Sequence, residues 1–325
     1  MRKWVKRSAL HLAKALGLFA LARRFTASGV RILCYHGVLL GYEGFRGDSM
    51  FMSPETFERR LDIITRLGFT IIGLDEAIHG LLGMVTLPLR CVVVTIDDGW
   101  YSTFNRMLPA LASRRMPATL YVDTARLGAS GPVPHMLAQY LVYDDRTLDP
   151  STRADFTQAT DLSIELPERN RALRSLSKSL GFDLEACVAN RSFDYMTAEE
   201  LRTAAKTGLD IQLHTHNHTL HDFSNAAIAS EIAQNRSALA EILNRDPASF
   251  KHFCYPSGVT RNGAGEILAS LGISSSMTTL PGFAYPGGAV QYLPRLLDGE
   301  QLSEIEFEAE LSGVRSMFSR QRKPA

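Results

Sequence analysis

The sequence is short of cysteine, of long apolar runs and, before Glu43, of any acidic residue. Its four cysteines lie far apart and form no Cys-x-x-Cys pair, so neither a zinc knuckle nor a disulfide framework is indicated. No uninterrupted apolar stretch approaches the roughly 20 residues that span a bilayer. The net charge of +1 and the pI near 7.8 give no whole-chain basic footprint for nucleic acid.

What remains is the composition of a globular protein, with 45% apolar and 21% charged residues in 325 positions. Segments that are apolar on both faces alternate with helical patterns from Val30 onward, which predicts an α/β fold with a parallel sheet. Ser53-Pro54 and a capping box at Thr197–Glu200 mark two helix starts, and the last strand is expected at 292–293. At least six such units favour a barrel over an open sheet. Residues 126–194 are polar and helix-leaning and interrupt the pattern. We interpret them as an insertion, either a lid or wall beside the active site or a surface decoration.

Residues 1–25 carry basic residues around a short apolar run, and three interpretations remain open. A basic start and the Ala20-Leu21-Ala22 sequence resemble a signal peptide, although the apolar run is short. Leu12, Leu16 and Phe19, among others, could instead place an amphipathic helix on an anionic membrane surface. The third interpretation is a helix that simply packs on the domain.

Two adjacent carboxylates, Asp97 and Asp98, end a buried strand in the sequence Thr95-Ile-Asp-Asp-Gly99. Buried carboxylates are costly unless they have cations, metals or hydrogen bonds as partners, and the carboxyl ends of parallel strands are where sites form. Because neighbouring strand residues point in opposite directions, the two groups can serve different roles. The alternative is an Asp-Asp-Gly turn that caps the next helix.

Four of the nine histidines fall within eight positions after another expected strand, 209–213. His214 and His218 stand four residues apart, so one helical turn would direct both imidazoles to one point. With one carboxylate, they suit zinc or a neighbouring divalent metal. We assign His216 a supporting role, and His221 is less constrained.

Three motifs in order, TIDDG (95–99), HTHNH (214–218) and FCYPSG (253–258), resemble those of the polysaccharide deacetylase family, the NodB-like carbohydrate esterases related to chitooligosaccharide deacetylase. Weaker similarities extend from about residue 30 to 298. The resemblance implies a distorted (β/α)7 barrel and metal-dependent removal of an acyl group from an amino sugar.

Carried over position by position, the resemblance implies that Asp98, His214 and His218 bind the metal and that Asp97 is the catalytic base. Zinc is the expected metal, with cobalt or nickel as alternatives. The loop at Tyr255 and Pro256 corresponds to the substrate and oxyanion segment of the family, with a backbone N–H as oxyanion donor.

Two features depart from the family pattern. Cys254 stands where many members have an arginine that steadies the catalytic aspartate, and we expect Arg295 to supply that charge instead, a surface salt bridge being the alternative. The family's late Leu-x-His motif has no counterpart, since no histidine follows His252. His36 is our candidate for the missing acid, the alternative being a loop histidine bonded to backbone.

The sequence therefore predicts a basic amphipathic segment (1–28), a catalytic domain (29–312) with the insertion inside it, and a tail (313–325). We expect an N-deacetylase of a polysaccharide, oligosaccharide or lipid-linked glycan. A deformylase or other C–N amide hydrolase is one alternative, and a carbohydrate-binding pseudoenzyme is another. The expected location is the cytoplasm or the cytoplasmic face of the inner membrane, with export through an atypical signal peptide as the alternative. No nucleic-acid partner is expected.

Overall fold

The computed structural model describes residues 3–41, 50–143, 148–220 and 224–314. The predictions for His221 and for the tail after Val314 lie outside these residues. The strands are β1 Arg31–Tyr35, β2 Gly37–Val38, β3 Phe51–Met52, β4 Thr70–Ile71, β5 Cys91–Asp98, β6 Thr119–Val122, β7 Asp210–Leu213, β8 His252–Cys254, β9 Ser275–Met277 and β10 Leu296–Leu297. The α-helices are α1 Lys3–Ala15, α2 Leu18–Phe25, α3 Pro54–Arg66, α4 Leu74–Leu81, α5 Leu108–Ser113, α6 Pro134–Val142, α7 Pro150–Thr160, α8 Leu166–Ser179, α9 Leu184–Ala189, α10 Ala198–Lys206, α11 Asn225–Leu243, α12 Ala264–Ser270 and α13 Glu304–Ser312.

Seven parallel strands form one curled sheet in the order β10-β1-β5-β6-β7-β8-β9, and β4 pairs with the start of β5. A parallel bridge between Met277 and Leu293 connects β9 with the segment that leads to β10. This is the distorted (β/α)7 barrel that the family resemblance implied. Because the strands are parallel, their carboxyl ends lie at one edge of the sheet.

The last strand differs from the prediction. We expected it at residues 292–293, but Leu293 forms only the isolated bridge and the strand beside β1 is β10. Pro294 lacks an N–H to donate to a ladder, and the chain pairs with β9 before this residue and with β1 after it. This shift places Arg295 directly before a strand of the barrel.

Two helix starts that the sequence predicts, those of α3 and α10, are present in the structure. The Ser53 hydroxyl accepts the Thr56 N–H at the start of α3, with Pro54 as the first helical residue. The expected capping box at α10 is present, with Thr197 and Glu200 bonding reciprocally. These caps orient α3 and α10 against the sheet, where their apolar faces are buried.

A helix closes the amino-terminal end of the barrel. Leu74, Ile78 and Leu81 of α4 are buried together with interior residues such as Ile32 and Val93. The loop 82–90 then leads from α4 into β5. The barrel interior is therefore filled at this end, and the opposite edge is left for a site.

The insertion contains α6 to α9, which share an apolar core with residues near the end of β5. Leu137, Leu141 and Leu173 belong to the same buried cluster as Trp100 and Tyr195. The insertion is thus packed against the carboxyl edge of the sheet.

The two N-terminal helices pack on α13 through one face. Phe19 and Ala22 are buried with Ile305 and Ala309, and Lys6 bonds to Glu306 at 2.8 Å. The packing interpretation therefore describes one face of this segment. Within the described residues, no helix is both long and apolar enough to cross a membrane.

We predict that the buried Arg60–Asp298 pair is a major stabilising contact. Arg60 Nε lies 3.0 Å from Asp298 Oδ2, and the Asp298 N–H donates to the Cys34 carbonyl, so the pair joins α3 to the end of β10. Burial raises the pKa of Asp298 to about 6 despite Arg60. Arg60→Met leaves this carboxylate buried without its cation and should lower the free energy of unfolding by about 3–5 kcal/mol in urea titrations.

Arg59→Met is the matched control, because Arg59 is the neighbour of Arg60 in the sequence and forms an exposed ion pair with Glu304. Its loss should cost no more than about 1 kcal/mol. Equal destabilisation by the two variants would contradict the prediction.

Candidate active site and metal centre

The two carboxylates at the end of β5 are buried and separated by the geometry of the chain. Asp97 and Asp98 are each 3% exposed. Asp98 has φ of 78° and Gly99 has φ of 107°, so the strand turns sharply as it ends. A side chain at Gly99 would be strained at this φ and would come within 3.3 Å of Val122. The turn gives each carboxylate its own set of partners.

Asp98 faces two imidazoles. Its Oδ1 lies 3.3 Å from His214 Nε2 and 3.2 Å from His218 Nε2, and its Oδ2 accepts the Trp100 indole N–H at 2.8 Å. Burial would raise the pKa of Asp98, but the two histidines outweigh it and hold the pKa well below its usual range. One ligand atom from each of the three residues lies within 4.8 Å of the others. This convergence is the one the sequence predicted.

The orientation of His214 fits metal binding. Its Nδ1 lies 2.7 Å from the Cys254 carbonyl, which can only accept a hydrogen bond. The proton therefore sits on Nδ1 in the neutral ring, and the Nε2 lone pair points towards Asp98 and His218. A backbone carbonyl in this position is a usual outer partner of a metal-binding imidazole.

The histidine segment is a loop and not the helical turn that we expected. Thr215 and His218 both have positive φ, 68° and 56°, which folds the chain back and brings His218 beside His214. A helix would have required the right-handed region throughout. The expected convergence is therefore reached by a different backbone path.

Helix α11 holds this loop by two polar side chains that the sequence reasoning missed. Asn235 accepts the His214 N–H at 3.0 Å and donates to the Val122 carbonyl. Glu231 accepts the His216 N–H at 2.8 Å. The two residues are four apart and therefore share one helix face, and this spacing was visible in the sequence. His216 bonds to Thr124 at 2.8 Å, in keeping with a supporting role.

Asp97 forms a bidentate ion pair with Arg295. Arg295 Nη1 and Nη2 lie 2.8 and 2.7 Å from Asp97 Oδ1 and Oδ2. The guanidinium is fully buried and also donates to the Thr278 carbonyl and the Thr95 hydroxyl. Burial would raise the pKa of Asp97, yet Arg295 lowers it to about 2. Arg295 thus lies where we expected a cation, and it is not at the surface.

Two thiols and one imidazole surround the same carboxylate. Cys34 and Cys254 each place Sγ 3.5 Å from Asp97 Oδ2, and the Arg295 guanidinium contacts Cys254 at 3.1 Å. His36 Nε2 lies 4.0 Å from Asp97 Oδ2 and its ring is half-buried. The end of β1 therefore opens on the same edge as β5, as expected for His36.

The expected oxyanion donor at Tyr255 needs correction. The Tyr255 N–H donates to the Met277 carbonyl at 3.1 Å, because the β8–β9 pairing continues one residue beyond Cys254. This N–H is thus committed within the sheet. Pro256 has no N–H and is buried in a short 3-10 turn. The loop contributes Ser257 to the cleft beside His218 instead.

A third carboxylate at this edge was missed in the sequence. Asp123 follows β6 and is fully buried, its N–H bonds to the Asp98 carbonyl, and Arg126 Nη1 lies 3.6 Å from its Oδ2. Burial raises the pKa of Asp123 to about 7. An acidic residue directly after a buried strand was the available signal, the same one that marked Asp98.

A cleft of about 750 Å³ opens beside His218. The insertion contributes part of its wall, with Met136 and Gln139 from α6 and Phe156 from α7. Of our two interpretations of residues 126–194, this position agrees with a wall beside the site. A second cavity of about 500 Å³, between α8, α9 and residues 130–132, contains none of the site residues.

Comparisons with known proteins agree with the geometry. The family model described as polysaccharide deacetylase matches residues 85–276, which include the Asp97–Asp98 pair and the two converging histidines, His214 and His218. A search of curated proteins finds no match. Among solved structures, IcaB from Ammonifex degensii is 20% identical with a TM-score of 0.60, covering 88% of this chain and 97% of that one.

Two further structures show the same fold. The Streptococcus pyogenes deacetylase PplD in complex with acetate is 17% identical with a TM-score of 0.59, covering 88% of this chain and 99% of that one. A de-N-acetylase from Aggregatibacter actinomycetemcomitans is 15% identical with a TM-score of 0.60, covering 86% and 99%. At this identity the likeness concerns the fold.

We predict that Asp98 and His214 are required to bind a divalent metal. After loading with Zn²⁺ and dialysis, elemental analysis should find about one equivalent in the parent chain. Asp98→Ala and His214→Ala should lose most of it, because each removes a donor atom. Asp97→Asn should retain the metal, since Asp97 is paired with Arg295.

His216→Ala is the matched control, because it removes an imidazole of the same loop that bonds to Thr124 and lies outside the converging set. A fully loaded Asp98→Ala variant, or an equal loss in His216→Ala, would contradict the assignment.

Proposed function

Because this chain belongs to the polysaccharide deacetylase family, we propose that it is a metal-dependent hydrolase that removes the N-acetyl group from an amino sugar of a glycan. The observation that carries the proposal is the convergence of Asp98, His214 and His218 on one point, beside the ion-paired Asp97. A carbohydrate-binding pseudoenzyme is disfavoured, because a protein that only binds sugar has no need to keep two buried carboxylates with separate partners.

The donor set fits a divalent metal. One carboxylate oxygen and two imidazole nitrogens are the ligands of many zinc hydrolases, and they leave a position open. Zinc is therefore our first proposal, with cobalt or nickel as alternatives. When bound, such an ion supplies Lewis-acid polarisation to the amide carbonyl and to water.

Asp97 is proposed as the general base. Its pKa of about 2 keeps it ionised at any working pH, so it can accept the proton of an attacking water. Arg295 holds both of its oxygens and fixes its orientation. His36 is proposed to protonate the leaving amine, and its support is a half-buried ring 4.0 Å from Asp97 at the mouth of β1.

The cleft beside His218 supports a glycan substrate. Its wall combines apolar side chains with groups that can donate or accept hydrogen bonds, such as Arg126, Gln139 and Asn217. Apolar faces with a few placed polar groups are typical of ligand pockets. The acyl group is proposed to be acetyl, and formyl hydrolysis is the runner-up reaction.

The test is a product assay. We expect the metal-loaded chain to release acetate from a panel of N-acetylated glycans and lipid-linked amino sugars, detected by mass spectrometry. Asp97→Asn should lower turnover about 10²–10⁴-fold while retaining metal. Formate or ammonia as the product would favour the runner-up, and sugar binding without any product would favour the pseudoenzyme.

We also predict that Arg295 keeps the acid limb of the pH–rate profile below the working pH range, because it keeps Asp97 ionised. Without Arg295, burial alone acts on Asp97, so its pKa rises and the carboxylate becomes protonated at a higher pH. The kcat/KM of Arg295→Ala should therefore fall at acidic and neutral pH and recover in part as the pH rises.

Arg295→Lys keeps the charge but loses the two-pronged contact, so its acid limb should move less. Near-ultraviolet circular dichroism verifies folding of both variants. An unchanged profile in folded Arg295→Ala would contradict the assigned role.

A further inference from the structure

Many of the exposed apolar side chains lie in two segments of the chain, helices α1 and α2 and the loop before β5. On α1 and α2, Trp4 is 75% exposed and Phe25 is 69% exposed, and the loop before β5 has Met84 at 68%. The same segments also expose Leu12, Leu16 and Leu21 on the helices and Leu82, Val85 and Leu89 in the loop. We call these nine residues the apolar face. Single exposed apolar residues are common, but a group of nine in two neighbouring segments marks an interaction surface.

The two segments meet in space. The Arg90 N–H at the end of the loop donates to the Ala27 carbonyl at 2.7 Å, two residues after α2. Burial lowers the pKa of Arg23 on α2, and the positive charge of Arg90 also lowers it. The loop and the end of α2 therefore lie side by side at the amino-terminal end of the barrel.

The inner faces of the helices are already used. Phe19 and Ala22 are buried against α13, and Lys6 and Lys14 are ion-paired with Glu306 and Glu308. The exposed residues are thus not the faces that fold the segment onto the domain. Among the residues that the structure describes, no element packs over them.

The charges around the apolar face are basic. No acidic residue precedes Glu43, and none occurs from 77 to 96, Glu76 being the nearest along that segment. Arg24 and Arg90 are exposed beside the apolar residues. The adjacent carboxylates of Glu306 and Glu308 are neutralised by Lys6 and Lys14. Exposed cations interleaved with apolar side chains complement an anionic bilayer surface.

We propose that the apolar face docks on an anionic membrane surface. Leu12, Leu16 and Phe25 enter the headgroup region, while Arg24 and Arg90 meet lipid phosphates. The docked chain turns its site away from the bilayer. The loop lies at the start of β5 and Asp98 at its end, and the eight residues of that strand separate the two by about 23 Å.

The chain offers its own reporter for the test. It has two tryptophans, Trp4 on the apolar face and Trp100, which is 1% exposed. Full-length protein should float with vesicles containing about 30% phosphatidylglycerol, at least ~10-fold more than with pure phosphatidylcholine. Fluorescence should shift to the blue on binding, and the shift should disappear in Trp4→Phe. Binding should weaken in ~0.5 M salt.

The variants separate the two parts of the surface. Leu12→Glu with Leu16→Glu should abolish flotation, and Arg24→Gln with Arg90→Gln should remove the preference for anionic lipid. Leu166→Glu with Val188→Glu is the matched control, because these two apolar residues are also exposed but lie on the insertion. The control should float like the parent. Release of acetate from a soluble substrate should not change in any of them.

Five results would overturn the proposal. The first three are absence of flotation, equal binding to neutral vesicles, and loss of binding in the control variant. The fourth is dimerisation without lipid that Leu12→Glu with Leu16→Glu abolishes, because this would assign the face to a second copy of the chain. Intact mass showing removal of the first 22 residues would overturn it as well, in favour of the signal peptide. Deletion of residues 315–325 tests that tail as another occupant, and flotation that occurs only after this deletion would overturn the proposal for the full chain.

Discussion

Two carboxylates occupy adjacent positions at the end of one buried strand, and the site is arranged around the need to neutralise both. Each would be costly in the interior without a partner. Asp98 faces two imidazoles from the loop after β7, and Asp97 faces a guanidinium that comes just before β10. The sharp turn at Asp98 and Gly99 keeps these two sets of partners apart. Separate roles for the two groups thus follow from the backbone at the end of β5.

The positive charge beside Asp97 comes from a different position in the chain than the one at which the family resemblance places it. Cys254 stands where the family resemblance leads one to expect arginine, and the Arg295 guanidinium reaches past this thiol to the same carboxylate. A cation so placed keeps Asp97 ionised but also makes it a weaker base, since its pKa is near 2. The position of the Arg295 guanidinium depends on the anchoring of β10. The Asp298 N–H ties the end of this strand to β1, and Arg60 ties it to α3.

Much of the fold followed from local signals, and the misses have physical causes. Ser53 and the Thr197–Glu200 capping box marked helix starts, because caps depend on a few neighbouring residues. The last strand was misplaced because β10 is two residues long and is defined by its pairing with β1. The histidine loop was expected to be helical because positive φ at Thr215 leaves no trace in composition.

The site residues divide in the same way. Asp97, Asp98, His214 and His218 were readable because several chemical groups of one kind follow a buried strand. The committed N–H of Tyr255 was not, because it depends on how far β8 and β9 stay paired. Asp123 and the Glu231–Asn235 helix face were visible in the sequence and were not predicted, and the helix face holds the histidine loop in place.

The two ends of the barrel have different roles because parallel strands place different chemical groups at each end. At the carboxyl edge, strand ends deliver polar side chains from β1, β5, β6 and β7 to one place, and the insertion adds a wall. At the amino-terminal end, α4 fills the interior and leaves an apolar loop outside. A surface contact at that end does not compete with substrate for space. If the apolar face lies on a bilayer, the mouth points into water, and a glycan that extends away from the membrane can reach it without the domain turning over.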